Sequence, residues 1–248
     1  RAGPVTPEPG APISSPVIKL LPILLVVAVP LVMWAVTAWT NGRSLRARSR
    51  PLKNDALEGL LGRLAHTAGV DRIAVRVLDA PVINGLATPS GDIYVTRGLV
   101  DEVRRGRVSQ QEFASVVAHE LGHLALGHTK RRAIDVAVAQ AAHVVVGGLL
   151  ARLVPIIGWH LARAISGLFV ASLSRADEFE ADRYATALMI RSGLGAEPQA
   201  RMLEKLEKLV PGMRGQDGPA SWLASHPPVK ERARAIRENA ARWLGEAG

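Results

Sequence analysis

Hydrophobic and polar positions fall into three regimes along this chain: an unbroken apolar run, a short stretch of alternation, and a long stretch with helical spacing. From Leu20 to Trp39 twenty consecutive residues carry no charge. At about 1.5 Å rise each they span roughly the 30 Å of a bilayer core. Pro22 and Pro30 are tolerated in a membrane helix, and Trp34 and Trp39 near its end suit an interfacial position. Residues 17–40 therefore predict an N-terminal transmembrane helix. A cleaved signal peptide is the competing reading, with Val36-Thr37-Ala38 as a small-residue cleavage site. The run exceeds the roughly 7–15 residues of a signal h-region, and its basic cluster follows rather than precedes it, so an uncleaved anchor is expected.

Alternation and helical periodicity take over next. Asn54 precedes Leu57, Leu60, Leu61, Leu64 and Ala65, the pattern of a capped amphipathic helix over 54–68. The stretches Ile73–Leu78, Val82–Ala87 and Asp92–Thr96 alternate as short strands, separated by turns at Asp79-Ala80-Pro81 and Pro89-Ser90-Gly91. From Ser109 the spacing is helical almost to the end. A small sheet followed by a run of helices predicts an α+β, predominantly helical domain over 54–245. Residues 133–173 are strongly apolar, but Asp135, Arg152 and Arg163 interrupt them, so they read as core helices or helices lying against a membrane.

Composition adjusts this picture at the N-terminus. Residues 1–16 hold five prolines and read as a flexible tail. The formal charge is +9, which admits nucleic-acid binding until the basic residues are placed. Five of them (Arg43, Arg46, Arg48, Arg50 and Lys53) fall in a basic juxtamembrane linker, 41–53, directly after the apolar run. Topology explains them better, and no aromatics interleave the rest, so no nucleic-acid partner is expected. By the positive-inside rule they place the following domain in the cytoplasm, on the inner face of a single-pass cell membrane protein. There are no cysteines, which excludes disulfides, thiolate zinc sites and a cysteine nucleophile.

Chemistry concentrates in His119-Glu120-Leu121-Gly122-His123, inside the predicted helix 109–127. Histidines at i and i+4 stand on one helix face, so both imidazoles can reach a single Zn²⁺. Glu120 projects beside them, placed to accept a proton from water activated by the metal. A catalytic zinc needs a third protein ligand and an open fourth position. His128 does not fit as that ligand, because the metzincin spacing puts its third histidine ten residues after the first and its glycine at seven. It is expected instead at the helix C-terminus, where positive charge is favoured. Glu178 and Asp182 share a helix face at i and i+4, which suits a carboxylate ligand with a neighbour bonded to a ligating imidazole. Asp177 and Glu180 are acidic as well, and spacing alone leaves a solvated acidic patch equally open.

These motifs carry a resemblance. His-Glu-Leu-Gly-His with Gly127-His128 following, then Ser174-Arg175 and Glu178 with Ala181-Asp182, resembles the HtpX-like membrane zinc endopeptidases, relatives of the CaaX prenyl proteases and the Oma-type mitochondrial protease. Asn84-Gly85-Leu86-Ala87, Gly98-Leu99 and Ser225-His226-Pro227-Pro228 with Arg232 extend the match to about residues 52–240. It implies a zincin-like metalloprotease domain holding one zinc on His119, His123 and Glu178, with Glu120 as general base and Asp182 supporting a ligand. It sets His226 beside the metal, capping the open position or stabilising the oxyanion, although a helix start fixed by two prolines explains that motif equally well. It also implies a cleft lined by strand Asp92–Thr96, which binds substrate as an added strand, with Asn84 and Tyr94 as substrate contacts. Asn-Gly-Leu departs from the family's Asn-Ala-Phe, which bears on subsite shape. The expected function is proteolysis of protein or peptide substrates in membrane protein quality control. The alternative is a membrane-anchored partner for another membrane protein, its proteolysis latent.

Overall fold

The computed structural model describes residues 42–128 apart from 89, residues 175–209 and 229–245, and the isolated positions 28, 32, 36, 40, 131 and 135. The expected anchor at 17–40, apart from four of those positions, and almost all of the apolar stretch 133–173 lie outside the described residues, as do the tail 1–16 and His226. Among the described residues no helix is long and apolar enough to cross a membrane.

A four-stranded mixed sheet of β1 (Ser49–Pro51), β2 (Val75–Leu78), β3 (Gly85–Ala87) and β4 (Ile93–Thr96) runs in the order β1-β2-β4-β3. β1 lies antiparallel to β2, β2 parallel to β4, and β3 antiparallel to β4. Around it stand α1 (Asp55–Ala68), α2 (Arg97–Arg104) and α3 (Gln110–Ala125), then α4 at residues 175–191, α5 (Glu197–Leu209) and α6 (Val229–Gly245). The domain is thus mostly helical with a small sheet, as the periodicity predicts.

Local chemistry sets the helix starts. Asn54 caps α1, its side chain accepting from the Leu57 N–H at 3.1 Å. Ser109 and Glu112 close a capping box on α3, with Glu112 Oε2 accepting from the Ser109 N–H at 2.7 Å. Lys205 of α5 donates to the same carboxylate at 2.7 Å, which ties the two helices together at the start of α3. Leu57, Leu61 and Leu64 of α1, Val75 and Val77 of β2, and Phe113 and Val117 of α3 share one buried cluster. Each such side chain contributes about 1.5–3 kcal/mol on burial. A second cluster joins Ala200 and Leu203 of α5 to Ala233 and Ile236 of α6.

Two features differ from expectation. The stretch read as a linker is partly structured: residues 42–47 are helical, β1 closes one sheet edge, and Arg46 pairs with Asp92 at 3.0 Å. Three residues are too few for alternation to announce a strand. Helix α2 follows β4 with no break, where no separate helix was expected. Its eight residues include four charged ones, leaving a weak periodic signal.

Candidate metal centre

His119, Glu120 and His123 occupy the middle of α3, and Glu178 reaches them from α4. The helices cross closely because Gly122 has no side chain: a Cβ there would stand 3.0 Å from the Ala181 carbonyl oxygen and 3.2 Å from its Cα. That approach brings three donors together. His119 Nε2 and His123 Nε2 are 3.2 Å apart. Glu178 offers Oε2 at 3.3 Å from His119 Nε2 and Oε1 at 3.4 Å from His123 Nε2. In a tetrahedron with zinc–ligand bonds of about 2.0–2.1 Å, ligand atoms lie about 3.3–3.4 Å apart. Two imidazoles and one carboxylate, all borderline-to-hard donors, therefore fit zinc in both chemistry and spacing.

The far side of His119 is built as firmly. Its Nδ1 lies 3.0 Å from Asp182 Oδ1, and Arg232 of α6 forks onto the same carboxylate, Nε to Oδ2 at 2.6 Å and Nη2 to Oδ1 at 2.8 Å. Arg232 Nη1 is also 3.3 Å from Glu178 Oε2. Gln199 donates to Asp182 and accepts from Thr186, so α5 joins the network. Burial alone pushes the Asp182 carboxyl up, but the Arg232 guanidinium overrides it and holds the group well below the usual carboxylate range. Burial pulls the His119 imidazole down, yet hydrogen bonds to Asp182 and Glu178 outweigh it and raise the group to about 9 in the metal-free site.

Glu120 faces β3. Burial lifts its carboxyl above the usual range, opposed by the two histidines and by a hydrogen bond from the Ala87 backbone, which makes it a stronger base than a solvated glutamate. Gly85 completes this contact, since a Cβ there would meet Val116 at 2.8 Å and Glu120 at 3.5 Å. The Thr96 N–H donates to the Asn84 carbonyl and the Thr88 N–H to the Asp92 carbonyl, both toward β4. By strand alternation Gly85 and Ala87 then turn their polar groups outward.

This arrangement corrects the expected docking strand. β4 is an inner strand, hydrogen-bonded on both sides by β2 and β3, so it has no edge for an added strand. Tyr94 on β4 is only 1% exposed. Among the described residues the free edge beside Glu120 belongs to β3. Asn84 immediately precedes it, with a side-chain Oδ1 that is buried and has no hydrogen-bond partner among the described residues.

His128 lies at the end of α3 as expected, two residues past the cap Leu126, but it is buried there, only 1% exposed. Its Nδ1 lies 3.0 Å from Nδ1 of His123, and its Nε2 lies 3.1 Å from Glu180 Oε2. Burial pushes this imidazole down, with Glu180 pulling the other way. Arg131 bonds Asp177 and stands 3.8 Å from Glu180. The acidic positions Asp177 and Glu180 are thus engaged around His128 rather than forming a solvated patch. Nothing in single-helix spacing could couple residue 128 to residue 180, since the contact exists only once α4 crosses α3.

A family model described as Peptidase family M48 matches residues 51–240. The chain is similar to Metalloprotease LoiP of Escherichia coli (strain K12), 32% identical over 171 residues covering 66% of this chain and 61% of that protein. It is 28% identical over 165 residues to Mitochondrial metalloendopeptidase OMA1 of Arabidopsis thaliana, covering 66% of this chain and 31% of that one. A Protease HtpX homolog of Dictyoglomus thermophilum is 28% identical over 217 residues, 73% of this chain and 68% of its own length.

Proposed function

The chain belongs to peptidase family M48, and from that premise we propose that it is a zinc-dependent endopeptidase. The observation that carries the reading is the triangle of His119 Nε2, His123 Nε2 and the Glu178 carboxylate, with sides of 3.2–3.4 Å. When bound there, zinc supplies Lewis acidity that polarises a carbonyl and acidifies water. The protein's own residues do the rest. Asp182 accepts from His119 Nδ1–H, which commits Nε2 of that ring to the metal. Glu120 takes the proton from the attacking water as the C–O bond forms, then delivers it to the departing amide nitrogen as the C–N bond breaks. The outward backbone groups of Gly85 and the outward carbonyl of Ala87, whose N–H is taken by Glu120, support strand-like docking of an extended substrate along β3. The place of Asn84 immediately before that edge strand supports its role as a substrate contact.

Replacing Glu120 with Gln is expected to leave one zinc per chain and to abolish casein cleavage; undiminished turnover would refute the mechanism. Replacing Glu178 with Ala is expected to strip or weaken the metal, and full zinc occupancy in that variant would reassign the third ligand.

We also propose a membrane setting, supported by the uncharged run Leu20–Trp39 and the basic residues that follow it. In this reading the domain works from the cytoplasmic face on membrane or misfolded proteins. Reporter fusions at the C-terminus test the topology, and activity of a periplasmic reporter alone would reverse the orientation.

A further inference from the structure

The two histidines of the proposed zinc site are supported by different means, and the difference is informative. His119 leans on a carboxylate. His123 leans on a second imidazole, and that imidazole leans on a carboxylate. We propose that His128 and Glu180 form a positioning relay that fixes the tautomer of His123 and so turns its Nε2 lone pair toward the metal. The inference rests on the assignment of His119, His123 and Glu178 as zinc ligands.

Proton counting carries it. A neutral imidazole that ligates through Nε2 must carry its hydrogen on Nδ1. For His123 that nitrogen lies 3.0 Å from Nδ1 of His128. Two N–H groups cannot face each other at that distance, so His128 Nδ1 must be the acceptor. Its own hydrogen then sits on Nε2, which lies 3.1 Å from Glu180 Oε2 and 3.8 Å from Asp177 Oδ1. The carboxylate of Glu180 can only accept, so it fixes the direction of the whole chain. The reverse tautomer of His128 would aim a hydrogen at His123 Nδ1 and force the other hydrogen onto Nε2, where the metal belongs. It would also leave a bare Nε2 facing a carboxylate.

The same residues do not make a second metal site. His128, Asp177 and Glu180 are grouped closely enough to suggest one. However, Arg131 already supplies the cation there, bonded to Asp177 and close to Glu180. His128 has one nitrogen on His123 and the other on Glu180.

The test compares His128→Leu and His128→Asn with the wild-type full chain. Asparagine presents an amide oxygen close to where Nδ1 stood, so it keeps the acceptor; leucine removes it. Zinc affinity is read by competition with a chromophoric chelator. His128→Leu is expected to bind zinc roughly 10–100-fold more weakly, and His128→Asn to recover most of that loss. Equal loss in both variants, or wild-type affinity in His128→Leu, overturns the relay. If leucine impairs folding, nitrogen-15 imidazole spectra of the zinc-loaded wild type decide instead. They should show His128 protonated on Nε2 and His123 on Nδ1, and a hydrogen on Nδ1 of His128 would refute the proposal. A second zinc equivalent in the wild type that disappears with His128 would also refute it, in favour of a metal site. Failure of the wild type to bind any zinc would instead bring down the ligand assignment.

Discussion

Replacing Arg232 with Met tests whether α6 holds the centre together. The side chain is fully buried and forks onto Asp182 at 2.6 and 2.8 Å, with Glu178 at 3.3 Å. Methionine fills much of the same space but leaves two carboxylates in the interior without their cation. Removing one member of a buried ion pair costs about 3–5 kcal/mol. For a domain of this size each kcal/mol lowers Tm by about 2–4 °C, so the variant should melt about 6–20 °C below wild type. The gap should be widest in EDTA, because in the proposed site zinc would itself neutralise Glu178. Asp182→Asn made alone, and combined with Arg232→Met, completes the cycle. The double variant should lose less than the sum of the singles, by about 0.5–3 kcal/mol. The sign with pH also follows. Asp182 is held below its unfolded value of about 3.9, so its contribution is fully present above that value and is lost only as pH falls through the depressed folded one. The wild-type advantage should therefore be flat across neutral pH. Circular dichroism melts measure all of this, and an Arg232→Met midpoint within about 2 °C of wild type in EDTA would refute the reasoning.

Two further outcomes follow from the same geometry. A side chain at Gly122 must push against the Ala181 backbone at 3.0–3.2 Å, so Gly122→Val should cost about 1–3 kcal/mol and weaken zinc binding by parting α3 from α4. Wild-type zinc affinity in that variant would show the crossing is not what sets the donor triangle. His119 titrates at about 9 without metal, so at neutral pH zinc must displace a proton. Calorimetry in buffers of different ionisation enthalpy should find about one proton released per zinc, with affinity rising as pH approaches that value and levelling above it. The sign for metal-free stability is opposite: His119 contributes fully below its unfolded value of about 6.5 and less as pH rises through about 9.

The parts legible in the sequence are those that depend on one element at a time. A capping asparagine, a capping box and leucines at helical spacing locate α1 and α3, because each signal is local to its helix. Alternation found β2, β3 and β4 but could not rank them within the sheet. Strand order depends on crossover, and β4 moved from expected edge to centre when β2 paired with it in parallel. The proposed docking edge is therefore β3, one strand earlier in the chain.

The metal site divides along the same line, and more sharply. His119 and His123 declare each other through four-residue spacing on one helix. Glu178 does not, because its partners are more than fifty residues away and four acidic side chains crowd its segment. Only the crossing at Gly122 and Ala181 singles it out from Asp177 and Glu180, by putting its carboxylate on the α3 donor face. The residues that support the ligands are less legible still. Arg232 and His128 resemble an ordinary helix arginine and a histidine at a helix end until α6 and α4 bury them. The proposed ligand set thus follows from local periodicity plus one close crossing, whereas the proposed direction of each imidazole's proton follows from residues outside that set. Substitutions at His128, Glu180 or Arg232 should accordingly impair zinc binding while leaving the His-Glu-Leu-Gly-His motif intact.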